Sequence, residues 1–189
     1  MFFYDLETTG LDYRKHAIHQ ISGAIVINGK IERRFNFHVK PFDGAEISDE
    51  ALSVSGVTVE QIMNYPDHTQ VYGEIISMLS KYVNRFDRED KFFLVGYNIH
   101  FDNDFFRRFF ELNGDKYFGS WFWSNSLDLM VMATITLAPV RHTMANFKQG
   151  TVAATLGIPI EESKLHDANY DIDVCMKIFN KVSPTPIEL

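Results

Sequence analysis

The chain has 189 residues, 46% of them hydrophobic and 23% charged, with a formal net charge of −7; this suits one soluble domain spanning 1–189 around one sizeable core. An acidic balance of this kind excludes broad electrostatic binding of duplex nucleic acid, which rests on a basic face. The only cysteine, Cys175, excludes an internal disulfide and a Cys-rich zinc site, no apolar run reaches the length of a membrane span, and a strand-like segment from Phe2 leaves no room for a signal peptide, so a cytoplasmic protein is expected.

Phe2 to Asp5 is a short apolar run that ends in acid and reads as a buried strand. Ile18–Ile27 and Ile31–Val39 are β-rich runs joined by Asn28-Gly29, a strong hairpin signal. Thr58-Val59-Glu60-Gln61 has the form of a capping box and predicts a short helix that stops before Pro66. Val71, Ile75, Met78, Leu79 and Tyr82 recur at helical spacing, and Phe92–Val95 is another apolar strand. Helices are expected near 101–112, 128–137, 146–156 and 168–182. Seventeen phenylalanines predict an aromatic-rich core. The order predicts an α/β domain with a mixed sheet, three antiparallel strands first and further strands reached by helical crossovers.

Four carboxylates sit where a bland protein would not place them. Asp5 and Glu7 end the first strand two residues apart, so both side chains point to one face; a polar strand end running into a turn is the alternative reading. Asp102 precedes Phe105, Phe106 and Phe109 at +3, +4 and +7, which puts the acid on an apolar stripe. The helix dipole explains an acid early in a helix, but not an acid on the buried face. Asp171 heads a second such stripe through Val174, Cys175, Ile178 and Val182, whereas Asp167 and Asp173 point elsewhere. A buried carboxylate must be protonated, paired or bound to a cation. A cation shared by all four is the economical solution, and oxygen-only ligands favour Mg²⁺ or Mn²⁺ over Zn²⁺.

Asp5-Leu6-Glu7-Thr8-Thr9-Gly10, Gly96-Tyr97-Asn98-Ile99-His100-Phe101-Asp102 and His166-Asp167-Ala168-Asn169-Tyr170-Asp171 together resemble the three exonuclease motifs of the DnaQ-like, or DEDD, superfamily. The histidine five residues before the last aspartate marks the His subtype. Val54-Ser55-Gly56-Val57-Thr58 and Leu127-Asp128-Leu129 are weaker echoes of segments between the motifs. Ser55 stands where a histidine is common, and Tyr97 where many members have histidine.

The resemblance implies an RNase H-like fold, a mixed five-stranded sheet flanked by helices, and metal-dependent 3′–5′ hydrolysis that releases 5′-mononucleotides. It implies two divalent ions, Mg²⁺ or Mn²⁺, on Asp5, Glu7, Asp102 and Asp171, with His166 as the general base. By the same analogy Leu6, Thr8, Thr9 and Phe101 meet the terminal nucleotides and Asn98 orients the site. Arg14, Lys15, Arg107, Arg108, Arg141 and Lys148 are candidates for phosphate contacts, with solvated surface charge as the equal alternative. The expected partner is the 3′ end of a nucleic acid, single-stranded DNA favoured, with a separate polymerase or repair protein as a further partner. An exoribonuclease of the oligoribonuclease or RNase T kind is the rival, and a non-catalytic nucleic-acid-binding module of the same fold is the second. Phe118–Trp123 reads either as packing or as a platform on which bases stack, with packing the preferred reading.

Overall fold

Strands β1 (Phe2–Thr8), β2 (Ile18–Ile27) and β3 (Lys30–His38) form an antiparallel meander in a computed structural model that describes residues 1–161 and 168–189. The β2–β3 hairpin turns on Asn28 at φ 51° and Gly29 at φ 80°. Two consecutive positive φ angles match the right-handed twist of the flanking strands, and asparagine and glycine tolerate them best. Strands β4 (Leu94–Gly96) and β5 (Leu127–Asp128) complete the sheet in the order β3-β2-β1-β4-β5, with β4 parallel to β1 and β5 parallel to β4.

The central strand β1 is covered on both faces, and its period-two alternation divides the core. Phe2, Tyr4 and Leu6 pack on α3 (His68–Leu79) and α4 (His100–Leu112), whose Val71, Ile75, Phe105, Phe106, Phe109 and Phe110 are buried. Phe3 points the other way, into a second cluster with α5 (Leu129–Leu137), α6 (Gln149–Thr155) and α7 (Ala168–Val182). Two short helices, α1 (Asp49–Ser55) and α2 (Val59–Met63), lie between β3 and α3. This is the mixed five-stranded sheet flanked by helices expected from the sequence. No helix among the described residues is long and apolar enough to cross a membrane.

The phenylalanines account for the first cluster. Phe2 stacks on Phe35 at 4.9 Å, Phe106 meets Phe110 edge-on at 5.2 Å, and Phe118 lies 4.7 Å from Phe122. Such pairs contribute about 0.5–1.5 kcal/mol each beyond the area they bury. Phe118, Trp121 and Phe122 are therefore core residues, which decides the aromatic stretch in favour of packing; Trp123 leans on Phe93 at 6.1 Å.

Some boundaries differ from expectation for local reasons. The strand expected at 92–95 is Leu94–Gly96, with Phe92 making only an isolated bridge to Phe122. Asp128 is not helical: it ends β5 and caps α5 by accepting from Met130 N at 2.9 Å. The helix expected over 146–156 is confined to Gln149–Thr155. Helix α1 was not expected, because only Leu52 of its residues is buried and periodicity is silent there.

Candidate active site

The site forms where β1 outruns its parallel neighbour. β1 pairs with β2 as far as Thr8, but with β4 only at Phe2 and Phe3. Phe2 N donates to Phe93 O at 2.8 Å, so the N–H groups of even residues face the β4 side. At Leu6 no strand remains there, and Leu6 N donates instead to Asp102 Oδ1 at 3.1 Å. Asp102, 6% exposed, thus fills the backbone vacancy left by β4.

The turn that delivers Asp102 is built by Asn98. Asn98 has φ 56°, in the left-handed region that asparagine tolerates better than most residues. Its N–H donates to Asp128 Oδ1 at 3.1 Å. One carboxylate therefore holds the start of α5 and the turn into α4. Asn98 shapes this turn through its backbone, and Asp128, read in the sequence only as a weak echo, holds it.

On the opposite face, Asp5 and Glu7 flank Leu6, and α7 brings Asp171 to them. One carboxylate oxygen from each of the three lies within 4.8 Å of the others. Asp171 is set by α7, whose Val174, Cys175 and Ile178 are buried against the sheet. Its backbone carbonyl accepts from Gln149 Nε2 at 2.7 Å. Asp173, two residues on and so on the other side of the helix, pairs instead with Arg34 at 2.6 Å. Asp102 is not one of the three converging ligands, but its charge is felt by Asp5.

The electrostatics follow from this crowding. Burial first, then the charges of Asp102, Glu7 and Asp171, holds the Asp5 carboxyl well above the usual carboxylate range. Burial pushes Asp102 up to about 8; the N–H bonds from Leu6 and from its own backbone oppose the rise, and Glu7 and Asp128 add to it. Both carboxyls bind a proton more tightly folded than unfolded, so their contribution to stability is full below pH ~4. That contribution is lost as pH rises through about 8 for Asp102. In chelator, the thermal midpoint should fall between pH 5 and pH 8.5, and Mg²⁺ should restore it at the upper end; a metal-free midpoint that rises over this window would refute the crowding.

Other expected site residues fall into place unequally. Thr8 Oγ1 donates to Gly10 O at 2.8 Å, and Thr9 is fully buried with its hydroxyl on Glu46 O and Ala17 N. Thr9 N–H and C=O are also engaged, by Ala17 O and Ser48 N, so Thr9 shapes the loop from within. Gly10 is required there, because a Cβ would sit 2.1 Å from the His16 ring. Leu6 lines the cleft beside Asp5 and Glu7, and Phe101 packs on Phe105 at 4.9 Å. Among the candidate cations, Lys148 lines the same cleft as Asp5, Glu7 and Asp171. Arg107 lies over Phe118, Arg108 reaches Glu111, Arg141 lies over Phe147, Lys15 reaches Glu46 and Arg14 lies over Tyr13. His166 lies outside the described residues.

Three contacts went unread in the sequence. Ser55 Oγ donates to Glu7 Oε2 at 2.8 Å. Gln149 holds the Asp171 backbone. Tyr97 OH donates to Phe147 O at 2.5 Å, tying the end of β4 to the segment that carries Lys148. Only Ser55 left a signal, as a polar residue just before the helix-ending Gly56.

Oxygen donors grouped this closely, with like charges crowded on a partly buried strand end, suit a hard divalent cation. The comparisons with known proteins agree. The profile of the RNase T exonuclease family matches residues 2–179. A PolC-type DNA polymerase III of Mycoplasmopsis pulmonis is 25% identical over 93% of this chain, which spans 11% of that protein. Ribonuclease T of Haemophilus influenzae is 25% identical over 93% of this chain and 75% of its own length. E. coli exonuclease I in complex with a dA16 oligonucleotide superposes with a TM-score of 0.75 at 20% identity, covering 97% of this chain and 41% of that one. The sheet and its flanking helices are thus the RNase H-like arrangement of exonuclease I.

Proposed function

Since the chain belongs to the RNase T exonuclease family of the DnaQ-like superfamily, we propose that it acts as one exonuclease domain. It hydrolyses nucleic acid from the 3′ end and releases 5′-mononucleotides. The observation that carries this reading is the convergence of Asp5, Glu7 and Asp171 within 4.8 Å at the end of β1. Those three, with Asp102 beside them, would hold two Mg²⁺ or Mn²⁺ ions. Bound there, the ions would draw a phosphodiester into the acidic cleft and offset the charge that develops on it during in-line displacement.

The chain's own groups supply the rest. His166 accepts the proton of the attacking water. Asp102 keeps the backbone of Leu6 in line, so that Leu6 and Phe101 flank the terminal bases and the Thr8 backbone meets the terminal 3′-OH. Asn98 holds the turn that presents Phe101 and Asp102. Lys148, which lines the same cleft, meets a substrate phosphate. A net charge of −7 fits an enzyme that grips a few nucleotides at its site rather than a long duplex.

Single-stranded DNA is the favoured substrate, supported by the DNA polymerase and the oligonucleotide-bound exonuclease I among the similar proteins. The similarity to ribonuclease T supports RNA as the rival. The PolC likeness also favours action beside a polymerase or repair protein.

The test compares matched 5′-labelled DNA and RNA single strands, each with a free or a blocked 3′ end, in Mg²⁺, Mn²⁺ and excess chelator. Products should shorten one nucleotide at a time, a 3′ block but not a 5′ block should stop digestion, and DNA should be cut faster than RNA. Cleavage of a circular single strand, or full turnover in chelator, would overturn the proposal.

A further inference from the structure

Helix α1 is joined to the candidate site at both of its ends. At its start, Ser48 N donates to Thr9 O at 2.8 Å, while Ser48 Oγ caps the helix by accepting from Ala51 N. At its end, Gly56 takes the left-handed conformation at φ 68° and its N–H returns to Leu52 O, so Ser55 is the last helical residue. Leu52, 4% exposed, anchors the helix in between. Ser55 is therefore presented on a short, doubly held element, and its hydroxyl meets Glu7 Oε2 at 2.8 Å. The same hydroxyl lies 3.4 Å from Ala51 O. It has one proton to give, and the closer, charged acceptor is the stronger partner.

Resting on the reading of Asp5, Glu7 and Asp171 as a cation site, we infer that Ser55 is a positioning residue for Glu7. A glutamate at a strand end has three rotatable bonds and much freedom to lose. The Ser55 hydroxyl restricts it to the rotamer in which its carboxylate meets those of Asp5 and Asp171. Where a histidine is common in the family it resembles, this chain has a short hydroxyl donated to an acid of the cluster. Groups that orient a metal ligand in this way commonly matter about as much as a weak ligand.

The experiment is calorimetric titration of Mg²⁺ and Mn²⁺ into the full chain without nucleic acid, for wild type, Ser55→Ala and Ser55→Thr. The Mg²⁺ dependence of hydrolysis is measured alongside. Ser55→Ala should weaken cation binding by about tenfold and raise the half-saturating Mg²⁺ by the same factor. Its kcat at saturating Mg²⁺ should stay near wild type, and its thermal midpoint in chelator should confirm that it folds. Ser55→Thr, which keeps the hydroxyl, should bind like wild type. Ser55→Ala that binds cation as tightly as wild type overturns the inference, as does Ser55→Thr that binds as poorly as Ser55→Ala. A wild-type chain that binds no cation removes the cation site itself, a failure the wild-type titration alone reveals.

Discussion

Asp5→Asn should abolish hydrolysis while leaving the metal-free protein at least as stable as wild type. Asp5 is the carboxylate on which the cluster converges: its proton is held by burial and by the charges of Asp102, Glu7 and Asp171 together. Asparagine keeps the shape and removes the charge. The loss of a group that seats cations at the scissile phosphate is worth several kcal/mol in the transition state, or about 10³-fold in rate at 4 kcal/mol. Without metal the sign reverses, because asparagine fills the same buried, crowded place with no charge to be neutralised or repelled. Relief of about 1 kcal/mol would lift the midpoint by about 2–4 °C in a chain of this size. The measurements are single-turnover hydrolysis at saturating Mg²⁺ and thermal unfolding in chelator. An active Asp5→Asn enzyme, or an inactive one several degrees less stable in chelator, would remove Asp5 from the centre of the site and make it a structural acid.

His166→Ala should lower kcat by about 10²–10⁴, the usual range for loss of a general base, and leave Mg²⁺ affinity close to wild type because the oxygen ligands remain. A base must be neutral to accept a proton. The wild-type rate should therefore rise with pH through the histidine range, near an ordinary pKa of about 6.5, and this limb should vanish in the mutant. His166→Gln keeps a hydrogen-bonding side chain but takes no proton at neutral pH, so it should be slow as well. pH–rate profiles of the three proteins at saturating Mg²⁺ decide the matter. Equal rates for wild type and His166→Gln would assign the histidine a place outside proton transfer.

Much of the scaffold was legible because its signals are local. Asn28-Gly29 names its own turn through two positive φ angles. Phe105, Phe106 and Phe109 mark the buried face of α4, and Val174, Cys175 and Ile178 that of α7. Period two assigned Asp5 and Glu7 to one face at the end of a strand read as Phe2 to Asp5, and in the longer strand Phe2–Thr8 they share it with Phe3 opposite Tyr4 and Leu6. Helix α1 escaped the same reading because one buried leucine makes no period.

By itself, then, the sequence determined most of the elements, helix α1 excepted, which face of β1, α4 and α7 carries an acid, and which family the motifs belong to. Tertiary structure alone decided which acids meet and what holds them. Asp102 turns to Leu6 N, a partner 96 residues away, and Ser55 reaches Glu7 across 48. Periodicity aims a side chain toward a face but carries no information on where a second element crosses it. That crossing is set by how far β4 runs beside β1, by the left-handed turn at Asn98, and by the packing of α7 on the sheet. Phe118–Trp123 shows the same division: its aromatic character was plain, but only the closure of α4 over β1 made Phe118, Trp121 and Phe122 core. A ring buries its surface wherever the fold brings other rings within reach, and that reach is a property of the whole chain.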